Sequence, residues 1–178
     1  ALVNNKAKIT LLDVDIQRLE QARKNFQRLG VNCAKMIHAD ATQKSSFFLL
    51  RKFDRILIDA PCSNLGVLRH NCEVKYRIKP DDLKKLSEKQ LKILSEASMA
   101  VKNCGIMIYC VCSTSDEETT EVVKKFLNQN KNFSVHKIER HEVPNPDFLT
   151  SEGYFFSFPS NKSSAVDGFF AARMQKIK

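Results

Sequence analysis

The 178-residue chain is 43% hydrophobic and 28% charged, enough apolar material for one folded core and too much for a disordered segment. Lys and Arg total 29 against 20 Asp and Glu, a net charge of +9 that favours a polyanionic partner through phosphate neutralisation and counterion release. No run approaches the roughly 18 apolar residues of a spanning helix, and the start, "ALVNNKAKIT", lacks the basic, apolar and cleavage-site pattern of a signal peptide. A soluble cytoplasmic protein with no membrane contact is therefore expected.

In chain order, "KITLLDVD" reads as a strand ending at Asp13. Ile16, Leu19, Ala22, Phe26 and Leu29 then recur at helical spacing up to Gly30, a natural C-terminal stop, with Asp15 as a helix cap. "VNCAKMIHAD" gives a second short strand ending near Asp40, and "FDRILID" a third, whose continuous Ile56, Leu57 and Ile58 suit a parallel strand covered on both faces. Pro80, Asp81 and Asp82 mark a helix start. Leu83, Leu86, Leu94, Ala97 and Val101 give that helix one apolar face up to a break at Asn103 to Gly105. "GIMIYCVCS" is the next strand. Ser115 and Glu118 have the spacing of a capping box, opening a helix that carries Val122, Val123, Phe126 and Leu127. "FSVHKIE" and "DGFFAARMQKI" read as two further strands joined by a polar loop containing Pro144, Pro146 and Pro159.

Strands alternating with helices indicate a doubly wound α/β sheet, in which ligands lie beyond the carboxyl ends of the strands. Asp13, Asp40, Asp59 and Cys112 all occupy such ends. The chain has only 5 glycines and no G-x-G cluster, and it starts on Ala1. The expectation is a single catalytic domain over 1–178 that forms the later part of a longer protein, with the first strand and its glycine-rich loop upstream. Several of the six cysteines fall inside apolar runs, and all six are read as reduced thiols. There is no C-x-x-C pair and no zinc pattern, so no metal is expected.

"DAPCSNLGVLRHNCEVKYR" and "YCVCSTSDEE" together resemble the RsmB/NSUN-type RNA cytosine-5 methyltransferases, nearest to the bacterial branch that acts on 16S ribosomal RNA. "LLDVD" is similar to that family's ribose-binding segment, "HAD" to its adenine-side acidic segment, "DAPCS" and "VCS" to its two catalytic segments, and "DGFFAARM" to its terminal strand. Departures include Val111 where the family usually has Thr, Cys104 in place of the first residue of a Gly-Gly turn, Cys72 for Pro, and Arg69-His70 for an Arg pair. The resemblance implies a Rossmann-like class I methyltransferase sheet, mostly parallel with an antiparallel C-terminal strand, here lacking the first strand and glycine-rich loop. It also implies S-adenosylmethionine as cofactor, contacted by Asp13, Asp40 and Asp59, with the isolated segment binding it poorly. RNA, ribosomal in this branch, is the implied partner, and no obligate protein partner is indicated.

Carbon 5 of cytosine is too weak a nucleophile to take a methyl group directly, so a thiolate must first add at carbon 6. The resemblance assigns Cys112 as that nucleophile and Cys62 to product release, and Asp59 fits the task of supporting ring N3. An RNA base has to leave its stack to reach such a pocket. Arg69, His70, Lys75 and Arg77 follow on the same loop as candidate RNA contacts. Two competing readings are a DNA cytosine-5 methyltransferase using Cys62 as nucleophile, and a non-catalytic RNA-binding relative that keeps only the sheet.

Overall fold

Ile9–Asp13 forms β1 and Ala34–His38 forms β2, paired in parallel with Leu11 opposite Met36 and Asp13 opposite His38. Between them runs α1, Ile16–Arg28, which buries Leu19. Its start is set as expected: the Asp15 carboxylate accepts from the backbone N–H of Gln17 at 2.8 Å and of Arg18 at 3.4 Å. Its end is set by Gly30, whose φ of +66° is the left-handed conformation glycine adopts without strain. The computed structural model describes residues 5–44, 52–159 and 166–177. These fall into two compact units, Ala1–Leu50 and Arg51–Lys178, and β1, α1 and β2 make up the first.

The second unit is built on one mixed sheet. β3 (Phe53–Asp59) pairs in parallel with β4 (Val101–Val111). The strand β7 (Phe169–Lys176) runs antiparallel to β4, to β5 (Phe133–Val135) and to β6 (Phe155–Ser157). The order is β3-β4-β7-β5, with β6 also on β7, so the expected antiparallel C-terminal strand lies inside the sheet. A short helix, α2 (Val74–Arg77), and the long α3 (Pro80–Ser98) connect β3 to β4, while α4 (Thr120–Gln129) packs on α3. Period-two burial along β7 places Phe170, Ala172 and Met174 in the core with Met107, Tyr109 and Val111 of β4. Phe170 meets Tyr109 and Tyr154 edge-on, with ring centroids 6.3 and 5.4 Å apart.

Several expectations change. Val101 begins β4 and does not extend the preceding helix: the Phe53 N–H bonds the Ala100 carbonyl at 2.7 Å, and Val101 is fully buried against the sheet. Asn103 to Gly105 is an irregularity within β4, where the register jumps from Phe53↔Val101 to Arg55↔Ile106 and Cys104 takes a φ of +58°. Ser115 makes no capping bond; a 3-10 turn, Asp116–Glu118, precedes α4 and turns Glu118 inward. The "FSVHKIE" strand is only Phe133–Val135, and the following loop contains β6 and 3-10 turns at Arg140–Glu142 and Pro146–Phe148.

Candidate active site

Adjacent parallel strands end side by side, and the register of β3 on β4 sets Asp59 opposite Cys110. One more ladder bond, from the Ala60 N–H to the Cys110 carbonyl at 3.1 Å, carries the pairing to the edge of the sheet. Beyond it, the chain after β3 turns through Pro61, Cys62, Ser63 and Asn64, and the chain after β4 presents Cys112. The Cys62 and Cys112 sulfurs stand 3.2 Å apart as free thiols. Asn64 lies between them: its side-chain oxygen is 2.8 Å from the Cys112 sulfur and 3.5 Å from that of Cys62.

This contact makes the two thiols unequal. A hydrogen bond from Cys62 brings Cys112 down to about 7, against the opposing effects of partial burial and of the Asp59 and Glu118 carboxylates. The same bond, reinforced by burial, holds the proton of Cys62 well above the ordinary thiol range. Cys110, two residues from Cys112, is a contrast: burial first, then Asp59, pushes it up to about 12. One acidic thiol lies against one that keeps its proton.

The two loops are locked together below the sulfurs. The fully buried Glu118 carboxylate accepts from four donors: the Ser63 N–H at 2.9 Å, the Ser63 hydroxyl, the Ser113 hydroxyl at 2.6 Å and the Gln90 amide at 3.0 Å. Gln90 also donates to the Pro61 carbonyl at 2.9 Å, and the Tyr109 hydroxyl bonds both Gln90 and the Glu118 carbonyl. One acidic side chain thus ties the residue after Cys62 to the residue after Cys112. Above them, the Gly66 N–H donates to the Cys112 carbonyl at 3.0 Å, and the Gly168 N–H to the Gly66 carbonyl at 2.7 Å. A Cβ at Gly66 would collide with the Gly168 carbonyl oxygen, so only glycine allows this approach.

The other candidate residues are distributed as follows. Asp59 is exposed at the end of β3, near enough to Cys112 and Cys110 to oppose their ionisation. Arg69 and His70 both face Asp167, at 3.2 and 3.4 Å. The Lys75 ammonium sits 4.7 Å from the centre of the exposed Tyr76 ring, and Arg77 is exposed at the end of α2. In the first unit, the Asp13 carboxylate ends β1 and accepts from the Asp15 N–H at 2.8 Å. Asp40, just past β2, accepts from the N–H and hydroxyl of Thr42, both at 2.8 Å. Sequence reading missed Asn64, Ser63, Gln90, Ser113 and the inward role of Glu118. Gly66 and Gly168 carried a usable signal: in a chain with only 5 glycines, each one beside a motif deserves a steric reason.

The fold is that of a class I methyltransferase, with a mostly parallel α/β sheet and one antiparallel strand near its C-terminal end. Within that class the chain belongs to the 16S rRNA methyltransferase RsmB/F family, whose model matches residues 1–175. It is 32% identical over 176 residues to the "Probable ribosomal RNA small subunit methyltransferase B" of Bacillus subtilis, covering 98% of this chain and 39% of that protein. Among solved structures, it matches PH0851 with a TM-score of 0.85 at 30% identity, over 98% of this chain and 38% of that one. It also matches NSun6 from Pyrococcus horikoshii with SFG, with a TM-score of 0.81 at 26% identity, over 99% and 43%. The chain therefore spans about two fifths of the length of these relatives.

Proposed function

We propose that this chain carries the catalytic part of an S-adenosylmethionine-dependent RNA methyltransferase that modifies carbon 5 of cytosine, with ribosomal RNA as substrate. The observation that carries this reading is the pair of sulfurs 3.2 Å apart at the ends of adjacent parallel strands, one poised to ionise near neutral pH and the other holding its proton. A thiolate available near neutral pH is what addition to carbon 6 needs. Cys112 attacks carbon 6 of the flipped base, and Asp59, exposed at the rim, supports N3 as the ring takes up charge. Cys62, protonated while the nucleophile is free, loses its closest hydrogen-bond acceptor once Cys112 is bound to the base. It is then placed to take part in removing the carbon-5 proton and releasing Cys112.

The residues present suit the cofactor. Asp13 and Asp40 stand at or just beyond the ends of neighbouring parallel strands, each held by a local turn, and carboxylate acceptors there match the donor hydroxyls of a ribose and the amine of adenine. SFG in the Pyrococcus relative is an analogue of S-adenosylmethionine. When bound, the cofactor supplies the methyl group. Arg69, His70, Lys75 and Arg77 are proposed RNA contacts, Arg69 and His70 after exchanging Asp167 for phosphate.

The test is a denaturing-gel assay of covalent adducts between the full-length protein and cytosine-containing RNA or DNA, with cofactor present. Cys62→Ala is expected to accumulate an RNA adduct and Cys112→Ala to form none. The reverse pattern on DNA would make Cys62 the nucleophile. RNA binding without adduct or methyl transfer by the unaltered protein would leave a binding protein only.

A further inference from the structure

Asn64 is the one side chain hydrogen-bonded to both sulfurs among the described residues, and nothing in the chemistry above uses it. Its backbone sits at φ +63°, ψ +23°, a left-handed conformation that is costly for most residues and tolerated by Asn. The position is fixed from both sides: the Val67 N–H bonds the Asn64 carbonyl at 3.1 Å, and the Gly66 N–H bonds the Cys112 carbonyl at 3.0 Å. Its side chain is therefore delivered to the thiols by a constrained turn.

The groups facing Cys112 are few. Asp59 at the end of β3 and Glu118 in the turn before α4 both oppose ionisation; the Cys62 thiol and the backbone N–H of Cys112 itself favour it. Cys110 and Tyr109 on β4 hold their own protons more tightly than usual, chiefly because of burial. A carboxamide carries an acceptor and a donor related by a half-turn about one bond. With the Cys112 thiol intact, Oδ1 accepts its proton at 2.8 Å. Once that proton leaves, the same site calls for a donor, and a half-turn supplies Nδ2–H. Aspartate at this position could only accept, and would add a third carboxylate against the thiolate.

We propose that Asn64 is a positioning residue that sets which cysteine ionises, its side-chain amide turning to donate Nδ2–H to the Cys112 thiolate while the proton stays on Cys62. The importance of that ionisation rests on the function proposed above, but the assignment of the proton does not. With Cys62 kept as a thiol, one sulfur attacks and the other retains a proton until the later step.

The experiment is the pH dependence of iodoacetamide alkylation on the full chain, read separately at Cys112 and Cys62 by peptide mass spectrometry, for the unaltered protein, Asn64→Gly and Asn64→Asp. Circular dichroism checks that each is folded; glycine keeps the left-handed turn without strain. Loss of a hydrogen bond to a charged group is expected to raise the Cys112 midpoint from near 7 by about one unit, slowing its alkylation about fivefold at pH 7. Asn64→Asp raises it further, and Cys62 stays unreactive in both. An unchanged or lowered Cys112 midpoint in Asn64→Gly overturns the proposal. So does a joint drift of both cysteines to ordinary thiol behaviour, which would mean that Asn64 only shapes the loop. Neither RNA nor cofactor is present, so the result is independent of the adduct assay.

Discussion

Two pairs of parallel strands end in chemistry-bearing residues, and they hold those residues in opposite ways. At β1 and β2, Asp13 and Asp40 are anchored by backbone N–H groups two residues further along, as an Asx turn would anchor them anywhere. At β3 and β4, Cys62 and Cys112 lie 50 residues apart in sequence, and the bonds that hold their loops reach 50 residues from Ser63 to Ser113 and 55 from Ser63 to Glu118. A locally anchored group keeps its geometry as long as its turn survives. A group held by distant partners keeps it only while the whole unit is folded, so the thiol pair should respond to substitutions that touch neither sulfur.

The largest such effect belongs to Glu118→Ala. It strips the acceptor from buried donors on both loops, at about 1–3 kcal/mol for each one left unsatisfied, so a total of about 3 kcal/mol is expected even after relaxation. Thermal unfolding should show a fall in Tm, and Cys112 should lose its enhanced alkylation below pH 8 as its loop parts from Cys62. Losing that hydrogen bond outweighs the relief of removing the Glu118 charge that opposes ionisation. Glu118→Gln keeps a carbonyl oxygen and lets the two serine hydroxyls rotate to suit it, so a smaller loss is expected. An unchanged Tm in Glu118→Ala would remove the idea that one buried side chain joins the two loops.

Gly66→Ala ranks next. The added methyl group meets backbone on Gly168, which cannot move aside as a flexible side chain could. About 1–3 kcal/mol of overpacking is expected, together with loss of the Gly66 N–H bond to the Cys112 carbonyl. If the substitution lowers stability yet leaves the Cys112 pH profile intact, the close approach serves packing alone.

The same contrast explains which parts of the molecule were legible in the sequence. The helix cap at Asp15, the stop at Gly30, the limits of β3 and the strand-end positions of Asp13 and Asp59 follow from local spacing, and the structure agrees with each, while Cys112 falls one residue beyond the end of β4. Glu118 has capping-box spacing from Ser115, and local rules cannot know that Gln90, Ser63 and Ser113 converge beneath it. Val101 continues the helical periodicity of its neighbours, and only its pairing beside Phe53 makes it a strand residue. Asn64 gave no signal because its importance lies in where two loops from different strands meet.

A pH profile sharpens the comparison without any substitution. Cys112 has its proton affinity lowered in the folded chain, so its thiolate is present above about pH 7 and is lost as pH falls through that value. Adduct formation, read at saturating RNA, should fall about fivefold between pH 7 and 6 and about tenfold per unit below that. In the Cys62→Ala variant the donor to Cys112 is gone, and the midpoint should move up toward the ordinary thiol value near 9. A midpoint that stays near 7 would locate the cause elsewhere than in the sulfur pair.

The smallest stability effect is expected at Asp13, which makes it the sharpest control. In Asp13→Asn the side-chain oxygen can still accept the Asp15 N–H, and what is lost is a 3.9 Å ion pair to the exposed Arg18. Exposed pairs of this kind contribute about 0–1 kcal/mol, so Tm should stay close to that of the unaltered protein. An amide can accept only one hydroxyl proton at its remaining lone pair and carries no charge to strengthen the bond, so affinity for S-adenosylmethionine, measured by calorimetry on the full-length protein, should fall about tenfold or more. Stability and cofactor affinity would then separate at the β1 end, while Glu118→Ala moves stability and thiol chemistry together at the β4 end. A fall in Tm for Asp13→Asn as large as that for Glu118→Ala would show that Asp13 too is held by the fold at large, and the distinction between locally and remotely anchored strand ends would not stand.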